Sequence, residues 1–589
     1  MEKRPAAVFR TVASLPAAKG ATFAAWAAGA SPAALAVIIL AACLLVVGSW
    51  RVYSNTWDEP EHLAAGVELL DRGIYEYDTE HPPLGRVLIA LGPWLAGAHS
   101  FGTPPPDGTQ EGIDILYAGG HYWRTLTLAR LGTLPFLVLL LVTTWLWARR
   151  IFATPAAALL PVVLLVAVPP VLGHAALASL DVAAAATILL ALYMLQRWLL
   201  SGTPRDAAFF GLASGVAVGT KFSGVPFIGL SLAALAVVRW LIARKEPPSG
   251  SAAAVARPAA GSPAQWIGGL AVAAVTTLLM LFLIYAPRAA HHPGVDFRFH
   301  WAVSYLLQKP GLDHAIGVLL THVQLPYEFQ DLVNGVVAVK AHNDTGHLSY
   351  LLGAVRSTGW WYFYLVALAV KTPIPLLVGG TIGLIWLARD GWRQAQGWAV
   401  APLVLFATIL VFASSFSRIN IGIRHILVLY PLLALGSADV LLHAWRATLA
   451  RGGRTGAVAA VALLALVGWQ LSPVWTAFPD YLPYFNEAVA NPEHVLVDSD
   501  LDWGQDLLRL EQRAAQLQIG KLNLAYRGTA DLAREPLPPF HILPPKQPVR
   551  GWVAVSALAR TRNPADYAWL DAYRPLERVG KTIDLYYIP

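Results

Sequence analysis

Acidic residues and histidines cluster in two short runs, WDEPEH at residues 57–62 and HPPLGR at residues 81–86. The first run directly follows a hydrophobic stretch, so its ionisable groups are predicted to lie where membrane meets water. Ionisable groups in such places are costly to desolvate and are often functional. A partly shielded carboxylate such as Asp58 could take a proton from an acceptor hydroxyl. The pattern predicts an enzyme that works at a membrane surface on a lipid-borne substrate.

Two aspartates each have a functional and a structural interpretation. Asp58 precedes Glu59 and Pro60 and would be a good helix cap, and Asp181 could cap the helix that follows it. Both are predicted at the outer ends of membrane spans, where they could instead share one site. Helix capping would not explain such a convergence.

Basic residues also occur near predicted outer span ends, with Lys371 deepest in its apolar segment. Snorkelling to the interface is one explanation for them. The other is binding of a lipid phosphate, since cations neutralise a phosphate leaving group. The candidates for phosphate binding are Arg86, Arg130, Lys221, Lys371, Arg418 and Arg424.

These groups must be positioned by membrane-spanning elements. The chain has 589 residues, of which 56% are hydrophobic and 13% charged, against roughly 25% charged in soluble domains. Its net charge of +7 is not gathered in a basic patch with aromatics, which argues against nucleic-acid binding. The single cysteine, Cys43, excludes an intramolecular disulfide. Eleven spans are predicted near 33–50, 126–147, 155–173, 181–198, 206–220, 223–242, 267–286, 361–386, 399–415, 425–442 and 456–472.

Short loops rich in Lys and Arg place the N-terminus in the cytoplasm, by the positive-inside rule. Three long segments then lie outside: 51–125, 287–360 and 473–589. Residues 1–472 form the predicted membrane module, and 473–589 form an extracytoplasmic α/β domain. In that domain, strands are predicted at 494–497, 522–526, 551–555 and 582–588, around a helix at 505–517. Residues 246–264 resemble a flexible inner linker.

Four motifs in order resemble those of the protein O-mannosyltransferases and the bacterial lipid A aminoarabinose transferases. They are Asp58-Glu59 after the first span, HPPLGR at 81–86, Leu180-Asp181, and GTKFSG at 219–224. The resemblance implies an all-α polytopic membrane protein with the GT-C fold. It also implies inverting sugar transfer from a polyprenyl-phosphate donor to a glycan, lipid or protein acceptor outside the cytoplasm, in a bacterial plasma membrane. By this resemblance Asp58 is the catalytic base, Glu59 its acidic neighbour, Asp181 a positioning group and Arg130 a functional arginine.

Several points remain open at the level of sequence. Acceptor or metal contacts are predicted at His62, His81, His342 and His347, and a divalent ion is one possible cofactor. The acidic run DSDLDWGQD at 498–506 fits turn formation, metal binding or acceptor recognition. A transporter or flippase for a polyprenyl-linked or amphiphilic substrate is the alternative function. Transporters tend to contain internal repeats, and none is evident here.

Overall fold

The computed structural model of the protein describes residues 17–104, 107–244, 262–287 and 293–589. Apart from residues 262–264, the predicted inner linker lies outside these ranges. The membrane module consists of helices α1 to α20 and a short hairpin. The helices are Ala17–Ser49, Glu59–Arg72, Pro83–Leu95, Gly108–Tyr117, Tyr122–Leu131, Leu134–Ile151, Leu160–Val166, Pro169–Ala175, Asp181–Ser201, Pro204–Val218, Gly224–Ala243, Pro263–Tyr285, Pro293–Leu307, Leu312–His322, Tyr327–Thr345, Phe363–Lys371, Ile374–Arg393, Gly397–Phe416, Leu429–Arg451 and Gly453–Leu471.

The module has the multi-span organisation that the sequence predicts. In the described ranges, eight helices are long and apolar enough to cross a membrane, or nine if the bent pair Ala157–Val166 and Pro169–Ala175 counts as one span. All eleven predicted spans coincide with helices. Two of them fall outside the nine: α10, with only 15 residues, and α19, which carries Asp439, Arg446 and Arg451.

One predicted span, 361–386, is divided in the structure. Helix α16 ends at Lys371, Thr372 is extended (φ −94°, ψ 133°), and α17 starts after Pro373. The residue before a proline is pushed out of the helical region, which explains the break. The break leaves Lys371 at a helix end beside the C-terminal domain.

The three predicted outer segments contact one another. The first loop holds α2 to α4, and the middle loop holds α13 to α15 and the hairpin β1–β2 (Ser349–Leu351 and Ala354–Arg356). Arg298 of the middle loop donates to the Glu76 carbonyl of the first loop, at 3.0 Å. The Leu352 amide donates to the Val495 carbonyl of the C-terminal domain, also at 3.0 Å. The predicted topology separates the three segments by even numbers of spans, so it places them on the same side of the membrane. The contacts between the segments agree with this prediction.

The C-terminal domain is built on a mixed five-stranded sheet of order β4-β3-β5-β7-β6. Strand β3 is parallel to β4 and β5, and β7 is antiparallel to β5 and β6. The strands are Leu522–Ala525, Phe540–Ile542, Gly551–Ser556, Glu577–Val579 and Ile583–Ile588 for β3 to β7, and the helices α21 to α25 are Pro473–Thr476, Asp498–Leu501, Leu507–Gln516, Ala557–Arg562 and Pro564–Tyr567. The predicted strands at 522–526, 551–555 and 582–588 and the helix at 505–517 are therefore present.

The prediction of a strand at 494–497 is wrong. Residues Pro492–His494 form a 3-10 turn, and a helix begins at Asp498. Val495 and Leu496 pack against the apolar core of the membrane module. Their apolar side chains thus attach the domain to the bundle.

Candidate active site

Asp58 lies immediately before α2, but its side chain makes no capping hydrogen bond to that helix. One carboxylate oxygen instead accepts a hydrogen bond from Nη1 of Arg424, at 2.5 Å. The carboxylate is 23% exposed and so remains accessible to solvent. An accessible carboxylate held by a buried arginine is suited to act on a substrate, whereas the capping interpretation has no hydrogen bond to support it.

Asp181 is the first residue of α9 and is buried. Its Oδ1 accepts from the Lys221 ammonium at 2.8 Å, and its Oδ2 lies 3.7 Å from Nη1 of Arg424. Arg424 therefore lies between Asp58 and Asp181. Four groups that are distant in sequence form one alternating row of charges, Lys221–Asp181–Arg424–Asp58.

A pocket opens beside this row. Its polar lining residues are Asp181, Lys221, Ser223, Arg424 and His425, and its apolar ones are Ala184, Ala185, Ile188, Phe227, Leu427 and Val428. In the described part of the chain, the Arg424 Nε and the His425 Nε2 have no hydrogen-bond partner. The pocket lining thus combines cations and free hydrogen-bonding groups with apolar side chains.

Sequence reasoning missed His425, although it directly follows Arg424. It also missed His174, whose Nδ1 lies 3.6 Å from Asp181. Both histidines occur in apolar surroundings without a recognisable motif. Only the folded chain shows that they face the same aspartate.

Glu59 and Arg130 form a separate, fully buried pair. The guanidinium Nε and Nη2 of Arg130 donate to the two Glu59 carboxylate oxygens, at 2.8 and 2.9 Å. Arg130 also donates to the carbonyls of Tyr53 and Ser54, and the Ala178 amide donates to Glu59 at 2.7 Å. The structure therefore does not bring Arg130 into the pocket, and its donors are occupied by the protein.

Arg86 is likewise occupied. It is completely buried, pairs with the Asp78 carboxylate and donates to the Tyr75 hydroxyl at 2.9 Å. Its Nε donates to Nδ1 of His62 at 3.2 Å, which requires a neutral His62. Burial and the charge of Arg86 lower the pKa of His62 well below its usual range. The HPPLGR motif thus anchors the first loop, and His81 joins the same network through Asp78, at 2.9 Å.

The remaining predicted cations lie away from the pocket. The Lys371 ammonium is buried and donates to the carbonyls of Leu482 and Asp500, at 2.9 and 2.6 Å. Arg418 is exposed and donates to the Asp344 carbonyl at 3.2 Å. Of the predicted phosphate-binding residues, only Lys221 and Arg424 line the pocket.

His342 and His347 contact each other at the junction of the first and middle loops. Nδ1 of His342 lies 2.8 Å from the Glu80 carboxylate, and its Nε2 lies 3.2 Å from Nδ1 of His347. The hydrogen bond to Glu80 raises the pKa of His342. Within the described ranges, no three His, Cys, Asp or Glu side chains are arranged to share a metal ion.

The acidic run at 498–506 makes structural contacts. Asp502 accepts from the amides of Leu558 and Gly504, at 2.7 and 3.2 Å. Asp506 accepts from the Lys581 amide at 2.8 Å, and Asp498 pairs with Arg562 at 2.8 Å. These contacts favour the interpretation of the run as turn-forming.

The comparison that decides the protein class concerns the membrane module. Residues 36–287 match the family described as dolichyl-phosphate-mannose-protein mannosyltransferase. All four sequence motifs that indicated the resemblance lie inside the matched range. The protein is a multi-pass membrane glycosyltransferase that uses a lipid-linked sugar donor.

Solved structures resemble the chain at low sequence identity. ArnT from Cupriavidus metallidurans bound to undecaprenyl phosphate is 16% identical, with a TM-score of 0.42 over 93% of this chain and 97% of that one. Its apo state gives 14% identity and a TM-score of 0.43 over 94% and 98% of the two chains. The oligosaccharyltransferase of Archaeoglobus fulgidus, tethered to an acceptor peptide, gives 13% and 0.42 over 75% and 54%. No curated protein matches the sequence.

Proposed function

We propose that the protein transfers a sugar, with inversion, from a polyprenyl-phosphate carrier to an acceptor hydroxyl at the outer face of a bacterial plasma membrane. The pocket that combines Lys221 and Arg424 with apolar side chains, next to Asp58, carries this proposal. A lipid-phosphate sugar likewise combines a charged head with an apolar chain. Its phosphate would lie against the two cations and its first isoprene units along α9 and α11.

Asp58 acts as the general base in this mechanism. Its carboxylate accepts the proton of the acceptor hydroxyl while the acceptor oxygen forms a bond to the anomeric carbon. The bond between that carbon and the phosphate oxygen breaks on the opposite face, and its electron pair goes to the phosphate. The donor diester becomes a monoester with greater negative charge, which Lys221 and Arg424 stabilise.

Asp181 has a positioning role. It is buried against Lys221 and Arg424, so it fixes both cations without being exposed to the acceptor. Glu59 and Arg130 do not line the pocket. Their ion pair joins the start of α2 to α5, and Glu59 also binds the amide of Ala178 just before α9. Asp58 and Asp181 are thereby held at a fixed separation.

Outside the cytoplasm, nucleotide sugars are not dependably available, so a membrane-bound activated donor suits the outer face. The predicted cytoplasmic N-terminus rests on the Lys and Arg content of the inner loops. With that orientation, the first loop, the middle loop and the C-terminal domain all lie outside. The acceptor would then approach Asp58 from the extracytoplasmic side.

The test is transfer by the full chain in proteoliposomes supplied with labelled undecaprenyl-phosphate sugars and an extract of bacterial membranes as acceptor. We expect labelled product whose anomeric configuration is opposite to that of the donor, and no product from nucleotide sugars. A product of retained configuration would refute the mechanism. Movement of the labelled lipid across the bilayer without transfer would support the transporter alternative instead.

A further inference from the structure

A segment of the C-terminal domain, residues 499–505, contacts Arg424 and the backbone just before Asp58. On the Arg424 side, the Ile423 amide donates to the Asp500 carboxylate at 3.1 Å, and the Ser499 hydroxyl donates to the Ile421 carbonyl. Gly422, between these residues, has φ +122°, and a Cβ there would lie 2.3 Å from the Ser499 hydroxyl. The turn that carries Arg424 is therefore built against this segment.

The same segment reaches the Asp58 side. The Trp57 amide donates to the Trp503 carbonyl at 3.1 Å, and the Ser54 amide donates to the Gln505 carbonyl at 3.0 Å. Trp503 itself is buried, and its ring lies 4.5 Å from the guanidinium carbon of Arg424. Trp503 therefore makes both contacts: its carbonyl accepts from the amide of Trp57, just before Asp58, and its ring packs against Arg424.

Lys371 fixes the segment to the bundle. Its ammonium donates to the Asp500 carbonyl from the end of α16, at 2.6 Å. The Gln505 side chain donates to the Leu501 carbonyl at 2.7 Å and accepts from the Trp503 amide at 2.8 Å. These internal bonds leave the indole little freedom to move away from Arg424.

We propose that residues 499–505 are part of the active site, with Trp503 as a positioning residue for Arg424; this inference rests on the proposed function. A ring under the face of a guanidinium stabilises the cation without using its in-plane N–H groups. Arg424 can then keep its bond to Asp58 while its unpartnered Nε donates to the donor phosphate. An acidic partner in place of the indole would compete with the phosphate for those donors.

A double-mutant cycle on the full chain tests this role. Trp503→Leu should lower kcat/KM for undecaprenyl-phosphate sugar about tenfold, and Trp503→Phe, which keeps an aromatic face, should stay within about threefold of wild type. In an Arg424→Gln background, the further effect of Trp503→Leu should shrink to less than about twofold, because the indole acts through Arg424. If turnover in that background is too slow, the dissociation constant of undecaprenyl phosphate completes the cycle.

Trp552→Leu is the matched control, since Trp552 lies in β5 of the same domain and contacts Tyr587. It should leave kcat/KM within about twofold of wild type. Equal effects of Trp503→Leu in both backgrounds, or equal losses for the Leu and Phe variants, would overturn the proposal while leaving the proposed function intact. A wild-type protein that neither transfers sugar nor binds undecaprenyl phosphate would overturn both.

Discussion

Replacing Asp58 with asparagine removes the proposed base while keeping nearly the same shape. The asparagine side-chain oxygen can still accept from Arg424, whose Nη1 lies 2.5 Å from the carboxylate. No helix cap is lost, because the Asp58 side chain makes no capping bond. The expected cost in folding stability is therefore only the difference between a charged and a neutral acceptor, about 1 kcal/mol.

The expected loss of activity is much larger. A positioned general base contributes about 10²–10⁴-fold to the rate, which corresponds to roughly 3–5 kcal/mol of activation free energy. We expect kcat of Asp58→Asn to fall by that factor, while the KM for donor changes less than about threefold, because Lys221 and Arg424 remain. Initial rates with purified protein in proteoliposomes, at varied concentrations of undecaprenyl-phosphate sugar, separate the two parameters.

Asp71→Asn is the matched control, since Asp71 lies at the opposite end of α2 from Asp58. Asp71 accepts from the Ser100 amide at 3.0 Å and pairs with His99, on a surface outside the pocket. Its replacement should leave kcat within about twofold of wild type. If Asp58→Asn keeps more than about a third of the wild-type kcat while both variants fold, Asp58 is not the base and the mechanism fails.

Three further predictions concern donor binding, the buried ion pair and the pH dependence of stability. Lys221→Met removes the cation 2.8 Å from Asp181, and kcat/KM for the donor should fall about 30-fold or more, with partial recovery in Lys221→Arg; an unchanged donor KM would contradict this. Glu59→Gln leaves the buried charge of Arg130 unpaired, so thermal melting in detergent should show a loss of about 3–5 kcal/mol; wild-type stability would refute the anchoring role. Burial raises the pKa of Glu68 from 4.5 to about 7. The folded protein therefore keeps a proton that the unfolded chain loses, and stability should fall as the pH rises from about 4.5 to about 7 and then level off. Glu68→Gln should flatten that fall in melting temperatures, and an unchanged slope would contradict the assignment.

Much of the architecture could be predicted because long apolar helices have an unmistakable period and length. The convergence of Asp58 and Asp181 could also be predicted, since both follow from positions at outer span ends. The break in the span 361–386 could have been predicted too, because the residue before Pro373 disfavours the helical conformation. Helix α19 shows the limit of hydropathy: Asp439 lies in its buried N-terminal part, where a polar residue need not contact lipid, and Arg446 and Arg451 lie at its exposed C-terminal end.

The assignment of cations to the donor phosphate could not be made from sequence. Arg86, Arg130 and Lys221 are all cations near predicted outer span ends, and they differ in their ion-pair partners, which the sequence does not reveal. Arg86 pairs with Asp78, a residue that no motif singled out, and Arg130 pairs with Glu59 across 71 positions. The role of Trp503 depends on a contact with Arg424 that only the folded C-terminal domain provides.

In the proposed mechanism, the charge of the row Lys221–Asp181–Arg424–Asp58 accounts for both donor binding and product release. Lys221, Asp181, Arg424 and Asp58 together are neutral when all are ionised, so a donor diester with one negative charge meets two cations that are already compensated. When Asp58 takes the acceptor proton, the row becomes positive by one charge at the moment when the phosphate gains one negative charge. The row therefore stabilises the phosphate most strongly while the bond between the anomeric carbon and the phosphate oxygen breaks. Stabilisation at that stage lowers the activation barrier for transfer. Loss of the proton from Asp58 to solvent, through its exposed side, restores the neutral row and weakens the hold on the carrier phosphate.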